Sequence, residues 1–169
     1  MSTARGELVL TLAVSAAAAT LLVADYRKTP FDALFDDVAR RRTLPADLLR
    51  ALARHESRFR ADAVSGENTN KTRDYGLMQV NEATARALGR DVRRLLEPAY
   101  NVETAAELLV RLRRELGPLW SLHTWIASYN AGSPAIKRHG VFNAAYVASV
   151  SWHHTLYQLA GLVAGPRSG

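Results

Sequence analysis

Hydrophobic positions recur at helical spacing through most of the chain, which predicts a mainly helical protein. Pro30 and Pro45 stand near helix starts, and Gly89, Gly117 and Gly132 stand at helix ends. The predicted helical segments are 29–42, 43–59, 82–89, 102–116, 118–132 and 143–165. Between the second and third helices, residues 61–74 contain Gly, Asn, Thr and Asp and almost no bulky apolar residue. This composition predicts a turn-rich loop with room for a small hairpin.

The N-terminal region has a different pattern, because Leu8 to Ala24 is a run of 17 residues without charge. A helix of this length is about 25 Å long, near the lower limit for crossing a bilayer. Small residues at 17–19 offer a cleavage site. We therefore predict a signal peptide or membrane anchor at residues 1–26 and one domain at residues 27–169. A buried core helix is the alternative, and the basic residues that follow the segment argue against export.

Within the second helical segment, a carboxylate occupies a position in the apolar stripe. At about 100° per residue, Leu48 to Ala53 places four apolar side chains within an arc of roughly 140°, and Glu56 falls in the middle of it. Arg50, Arg54, Arg58 and Asp47 fall on the other side of the helix. A carboxyl group among apolar neighbours has a raised pKa, and a protonated carboxylic acid is what cleavage of a glycosidic bond requires. Glu56 could instead turn outward to solvent at the helix end.

Composition narrows the possible partners. The chain has 169 residues, no cysteine and a formal net charge of +6, with a pI of about 10.1. This charge suits an anionic partner such as nucleic acid, acidic lipid or a cell-wall polymer. The basic residues are not interleaved with aromatic ones, so we expect no nucleic acid. We also expect no metal and no cofactor, because the sequence has no glycine-rich phosphate loop and His55 has no histidine four residues later.

Three sequence blocks occur in an order that is typical of one enzyme family. They are ESRF (56–59), DYGLMQVN (74–81) and ASYNAG (127–132). Together they resemble the lytic transglycosylases of the soluble type, over about residues 44–146. The resemblance implies a mainly α, α+β lysozyme-like fold, in which a helical bundle surrounds a sugar-binding groove beside a small loop or hairpin. The long loop before the second block is closer to animal-type lysozymes and to the small transglycosylases of secretion and conjugation machines.

The resemblance also implies roles for individual residues. Glu56 would be the general acid and base, and Tyr129 would donate a hydrogen bond that orients it. Asp74 falls where lysozymes carry their second catalytic carboxylate, although it could be a simple loop residue. The residues expected to bind the sugar chain are Ser57, Gly76, Met78, Gln79, Tyr129, Asn130 and Tyr146. Gly76 is also expected to allow a close approach of the backbone, and Tyr146 matches a late tyrosine of the family that lies near the acid. Met78 and Tyr129 could instead be core residues, and Asn130 could simply end a helix.

The expected activity is that of a lytic transglycosylase. It would cleave the β-1,4 bond between N-acetylmuramic acid and N-acetylglucosamine in peptidoglycan and leave 1,6-anhydromuramyl ends. The expected location is the periplasm or cell envelope, with residues 8–24 in the membrane if they are not cleaved. A secretion, pilus or conjugation apparatus is the expected partner by analogy. The alternatives are a hydrolytic lysozyme that uses Glu56 and Asp74, a non-catalytic wall-binding module anchored in the membrane, and a cytoplasmic nucleic-acid-binding protein.

Overall fold

Helices dominate the computed structural model, which describes residues 23–69 and 71–164, and this confirms the predicted fold class. A two-stranded sheet is inserted between the second and third helices. The helices are α1 (Asp32–Arg42), α2 (Ala46–Ser57), α3 (Glu82–Ala87), α4 (Pro98–Leu116), α5 (Leu122–Ala131), α6 (Ser133–His139) and α7 (Ala144–Ala164), and the strands are β1 (Asp74–Tyr75) and β2 (Val80–Asn81).

Helix α2 packs against α1 and α7. Its predicted apolar stripe is buried, since Leu49 and Leu52 are both 0% exposed. Ala51, on the opposite face, is also fully buried. The helix ends at Ser57 because Arg58 adopts a left-handed conformation with φ 53°, and its N–H bonds back to the carbonyls of the last turn. This end point leaves Glu56 in the final turn.

Arg50 lies on the polar side of α2 and is nevertheless buried. Its side chain is only 1% exposed, and it pairs with Asp32 at 2.8 Å, Asp36 at 2.6 Å and Asp47 at 3.3 Å. A buried guanidinium is tolerated when carboxylates satisfy its donors. The cluster joins α1 to α2, because Asp32 and Asp36 lie on α1. Helical spacing alone predicts that α2 has a polar face. It does not show that α1 covers this face.

Helices α1 and α2 each begin three residues later than predicted, and larger differences from the prediction concern α4, α5 and α6. Helix α4 begins at Pro98, four positions before the predicted start, with proline in its first turn. Helix α5 begins only at Leu122, because Ser121 and Thr124 form a capping box there. Helix α6 was not predicted; it is seven residues long and follows directly after Gly132, where the previous helix ends. Such a short helix has too few turns to show a clear apolar period.

The hairpin lies at the end of the polar loop, around the second sequence block. Strands β1 and β2 are antiparallel, with Asp74 opposite Asn81. Gly76, with φ +74°, opens the turn, and a Cβ there would lie 2.4 Å from the carbonyl oxygen of Leu95. This confirms the predicted close backbone approach. The buried Asn101 amide on α4 donates to the carbonyls of Tyr75 and Leu95 and accepts from the Met78 N–H, so it fixes the hairpin to the helical core.

Residues 1–22, and with them most of the predicted leader, lie outside the described residues. Val23 and Tyr26, which the prediction also assigns to the leader, are 2% and 7% exposed. The Tyr26 hydroxyl lies 2.8 Å from Nδ1 of His153 on α7, and its ring meets that of Tyr157 edge-on. The folded domain therefore includes these residues. Within residues 23–69 and 71–164, no helix has the length and apolar character needed to cross a bilayer.

Candidate active site

A groove of about 650 Å³ runs between the hairpin and its loop on one side and helices α4 and α5 on the other. Glu56 and Asp74 both lie in it. Its walls are mostly polar and carry amides, hydroxyls and backbone from several elements. The other residues that line it are Asn68, Thr69, Gln79, Val80, Asn81, Ala83, Thr84, Leu108, Leu112, Ser128, Tyr129, Asn130, Ala131 and Gly132. Such an open polar groove can accommodate an extended sugar chain.

Glu56 is partly buried at the end of α2, with one face toward the groove. Tyr146 on α7 donates a hydrogen bond of 2.6 Å to its Oε1. Burial raises the pKa of Glu56 from 4.5 to about 7; the Tyr146 hydrogen bond opposes this rise and the negative charge of Asp74 adds to it. A carboxyl group with this pKa is available both as an acid and as a base near neutral pH.

Of the two tyrosines in the site, Tyr146 and not Tyr129 donates a hydrogen bond to Glu56. Tyr129 was expected to orient Glu56, but its hydroxyl donates to the carbonyl of Met78 at 2.8 Å. Tyr146 supplies the hydrogen bond to Glu56. Burial and the nearby charge of Glu56 raise the pKa of both phenols well above the usual value, so both remain protonated donors. Tyr129 therefore connects α5 to the hairpin, and Tyr146 orients the carboxyl group.

The ring of His55 packs against that of Tyr146, and the sequence analysis missed this contact. Its ring meets the Tyr146 ring edge-on, with 4.8 Å between centroids, and its Nδ1 lies 2.8 Å from Oγ of Ser149. Burial lowers the pKa of His55, so the neutral ring predominates at pH 7. The only sequence signal was its position next to Glu56, which does not indicate a partner on a distant helix.

Asp74 is held by two side-chain amides that the sequence analysis also missed. Nδ2 of Asn68 donates to one carboxylate oxygen at 3.0 Å, and Nδ2 of Asn81 donates to the other at 2.8 Å. Asn81 comes close because it stands opposite Asp74 in the hairpin register. The carboxylate thus has a fixed orientation at the groove wall. The loop composition identifies Asn68 only as part of a turn-rich segment, and the second sequence block gives Asn81 no separate role.

The remaining predicted sugar-binding residues divide into two groups. Gln79 and Asn130 line the groove, and Gln79 adopts φ 46°. Ser57, Gly76 and Met78 are buried and do not line it, which corrects their predicted role. Ser57 Oγ donates to the Leu77 carbonyl at 2.8 Å, and the Met78 side chain is 0% exposed. Ser57 and Met78 therefore support the hairpin from its buried side. Gly76 does so through its close approach to α4.

Comparison with known proteins identifies the family of this chain. The sequence matches the family described as Transglycosylase SLT domain over residues 33–145. It is 33% identical over 108 residues to Protein IpgF of Shigella flexneri, an alignment that covers 62% of this chain and 68% of that protein. It is 31% identical over 120 residues to X polypeptide of Escherichia coli strain K12, with 69% of each chain covered.

A solved structure has the same fold. It is an inactive mutant of the lytic transglycosylase Slt from Pseudomonas aeruginosa, with a TM-score of 0.64 and 22% sequence identity. The superposition covers 82% of this chain and 25% of that much longer one, so this likeness concerns the fold alone. The family match covers more than half of the chain and includes all three sequence blocks. The chain therefore belongs to the transglycosylase SLT domain family, and it is a peptidoglycan lytic transglycosylase.

Proposed function

We propose that Glu56 alone is the general acid and base that cleaves the β-1,4 bond between N-acetylmuramic acid and N-acetylglucosamine. The observation that carries this proposal is the partly buried Glu56 carboxyl group, which faces the groove with a pKa of about 7 and accepts a hydrogen bond from Tyr146. Such a group can hold a proton before the reaction and accept one afterwards. Both steps are needed to form an anhydro product.

The reaction balances without water. Protonated Glu56 gives its proton to the bridging oxygen as the bond from that oxygen to C1 of muramic acid breaks, and N-acetylglucosamine leaves as an alcohol. The Glu56 carboxylate then takes the proton of the C6 hydroxyl, whose oxygen bonds to C1 and closes the 1,6-anhydro ring. Tyr146 stabilises the carboxylate that exists between the two steps, because its hydrogen bond favours the charged form.

Asp74 favours a second candidate, the hydrolytic lysozyme reaction. Its carboxylate lines the same groove and is held by Asn68 and Asn81. A negative charge there would stabilise the positive charge that develops at C1, whichever nucleophile follows. If water attacked C1, the product would be a reducing end. We favour the anhydro product because the family is that of the lytic transglycosylases.

We further propose that the enzyme works in the periplasm or cell envelope, since its polymeric substrate is located there. The uncharged segment 8–24 would direct the chain to the membrane, and the net charge of +6 suits an anionic wall. The long loop before the hairpin supports a specialised role in opening the wall for a secretion, pilus or conjugation apparatus.

Mass spectrometry of digested peptidoglycan tests this function. Wild-type enzyme should release anhydromuramyl fragments, which are one water lighter than hydrolysed ones, and Glu56→Gln should release none because the amide cannot transfer the proton. Glu67→Gln is a matched control, since Glu67 is an exposed loop residue outside the groove. Reducing ends from the wild type would establish the lysozyme reaction. Digestion that persists in Glu56→Gln would remove Glu56 from the chemistry.

A further inference from the structure

The outward side of α7 carries a continuous stripe of exposed, mostly apolar side chains. At about 100° per residue, these side chains fall within an arc of roughly 100° along most of the helix. Leu162 is 81% exposed and Trp152 is 53% exposed. The α7 stripe consists of Ala148, Trp152, Thr155, Leu159, Leu162 and Val163. An exposed apolar face of this kind marks a site of interaction with a partner or a membrane.

Helix α7 contains no Asp, Glu, Lys or Arg among its 21 residues. Helix α4 has a similar length, and its solvent side carries Arg111, Arg113 and Arg114. A helix side that faces water is normally charged, as that of α4 is. The histidines of α7 do not change this contrast, since burial lowers the pKa of both His153 and His154. The α7 stripe is therefore suited to an apolar environment.

The uncharged N-terminal segment meets the fold at this same helix. The short 3-10 helix Ala24–Tyr26 packs against α7, where the Tyr26 hydroxyl lies 2.8 Å from Nδ1 of His153. Ala24 is the last residue of segment 8–24, so that segment ends beside α7. Arg27 and Lys28 follow and are exposed, which suits the anionic head groups of a bilayer. A bilayer that holds segment 8–24 therefore lies close to α7.

We propose that the α7 stripe lies on the surface of the lipid bilayer that holds segment 8–24. Trp152 suits the head-group region, where tryptophan is enriched, and the aliphatic side chains enter the boundary of the acyl chains. The helix lies on the bilayer and does not cross it, because its other side, with Val150 and Tyr157, is buried in the core. The proposal rests on the proposed location in the cell envelope.

This orientation directs the groove away from the membrane. Tyr146 lies about 150° around α7 from the centre of the stripe, and from there it donates its hydrogen bond to Glu56. Glu56 and the groove therefore lie on the side of α7 that faces away from lipid. An enzyme held in this way acts on the glycan strands nearest the membrane.

Quenching of tryptophan fluorescence by brominated lipid tests this proposal. The chain has three tryptophans, of which Trp125 is buried and Trp120 and Trp152 are exposed. The full chain is reconstituted in vesicles of phosphatidylethanolamine and phosphatidylglycerol, with and without bromine on the acyl chains. Brominated lipid should lower the emission, and Trp152→Phe should abolish this effect. Trp120→Phe is the matched control and should keep it.

A charge placed on the stripe gives a second test. Leu162→Asp should remove most of the quenching, because a carboxylate resists entry into lipid, whereas Leu119→Asp at another exposed leucine should keep it. Both variants should cleave soluble glycan strands as wild type does, which shows that they are folded. Absence of quenching in wild type, quenching that persists in Trp152→Phe, or an equal loss in Trp120→Phe would overturn the proposal.

The same vesicles distinguish lipid from a second copy of the chain as the occupant of the stripe. The chain has no cysteine, so Ala148→Cys introduces a single thiol. Disulfide-linked dimers that form efficiently under mild oxidation would show that the stripe meets a second copy, and would overturn the lipid contact.

The quenching assay contains no glycan, so its outcome is independent of the proposed reaction. If anhydro ends form but Trp152 is not quenched, the membrane contact fails alone. If Trp152 is quenched but no anhydro ends form, the proposed reaction fails while the membrane contact stands.

Discussion

At the scale of single residues, the site depends on how the protein treats the Glu56 carboxyl group. Burial among the side chains of α2 and α7 favours the neutral form, and the Tyr146 hydrogen bond favours the charged form. The balance places the pKa of Glu56 at about 7. Each contribution can be removed separately, so each gives a distinct expectation.

Tyr146→Phe removes the only one of these contributions that lowers the pKa of Glu56. The pKa should therefore rise above 7, and the alkaline limb of the pH profile of kcat/KM should move to higher pH. Activity at its optimum should fall by about 10-fold or more, because the carboxylate formed during the reaction loses its hydrogen bond. Kinetic assays from pH 5 to 9 measure both effects. An unmoved alkaline limb would contradict the assignment of Tyr146.

The raised pKa also makes folding stability depend on pH. Below pH 4.5 the carboxyl group is protonated in both states, but between pH 4.5 and about 7 only the unfolded chain releases the proton, so stability falls as pH rises. Glu56→Gln has no such group. Its free energy of unfolding relative to wild type should increase by up to about 3 kcal/mol from pH 4.5 to pH 8.

Urea unfolding of both proteins at several pH values measures this difference. Glu67→Gln, at an exposed position, is the control and should show no such trend relative to wild type. A constant difference between Glu56→Gln and wild type would show that residue 56 has an ordinary pKa in the folded protein.

Sequence reasoning at this scale identified Glu56 as the acid but gave wrong roles to some of the residues around it. The helical period predicts that Glu56 lies among buried side chains, because Glu56 and the apolar stripe belong to the same helix. Tyr129 and Tyr146 reach the site from separate helices, and only their packing decides which hydroxyl meets Glu56. The family resemblance assigns Ser57 and Met78 to the groove because both lie within the matching blocks, whereas their side chains are buried.

At the scale of elements, the position of α2 is fixed by the cluster of Arg50 with Asp32, Asp36 and Asp47. The periodicity of the sequence predicted the helices well, since each amphipathic stripe is a local property. It could not show that the polar face of α2 meets the acidic face of α1, because that contact joins two helices. The same limit hid α6, whose seven residues form too few turns for a period.

Arg50→Ala should destabilise the protein by about 2–4 kcal/mol, because three carboxylates would be left without their cation next to a buried space. Chemical unfolding measures this loss. Arg40→Ala is the control, since Arg40 pairs with Asp37 at 3.5 Å on the exposed surface. It should cost no more than about 0.5 kcal/mol. Similar losses for the two variants would show that the buried cluster is no more important than a surface pair.

Gly76→Ala tests how tightly the hairpin is held against α4. The new Cβ would lie 2.4 Å from the Leu95 carbonyl oxygen and 2.6 Å from Nδ2 of Asn101, so the hairpin must move. We expect a loss of more than about 2 kcal/mol in the free energy of unfolding. Gly89→Ala shares the left-handed conformation, with φ +70°, but meets nothing within 4 Å, and it should cost only about 1 kcal/mol. Equal costs would mean that only backbone conformation matters at Gly76.

At the scale of the whole molecule, the net charge of +6 should assist the approach to an anionic polymer. Raising the salt concentration from about 25 to 250 mM should lower kcat/KM on intact wall fragments severalfold, since the added ions screen this attraction. Cleavage of a short uncharged oligosaccharide of the same linkage should change little. Turbidity and reducing-sugar assays follow the two reactions. An equal salt effect on both substrates would point to the chemistry itself and not to long-range attraction.

The desolvated Glu56 carboxyl group also has a consequence for inhibitor design. A ligand with a permanently cationic nitrogen at the position of C1 would pair with the ionised form and draw the proton off the protein. Its affinity should therefore strengthen as the medium becomes more alkaline through pH 7, whereas an uncharged mimic of the same shape should show no such trend. Medicinal chemists could use this contrast to distinguish compounds that reach the acid from those that merely fill the cleft.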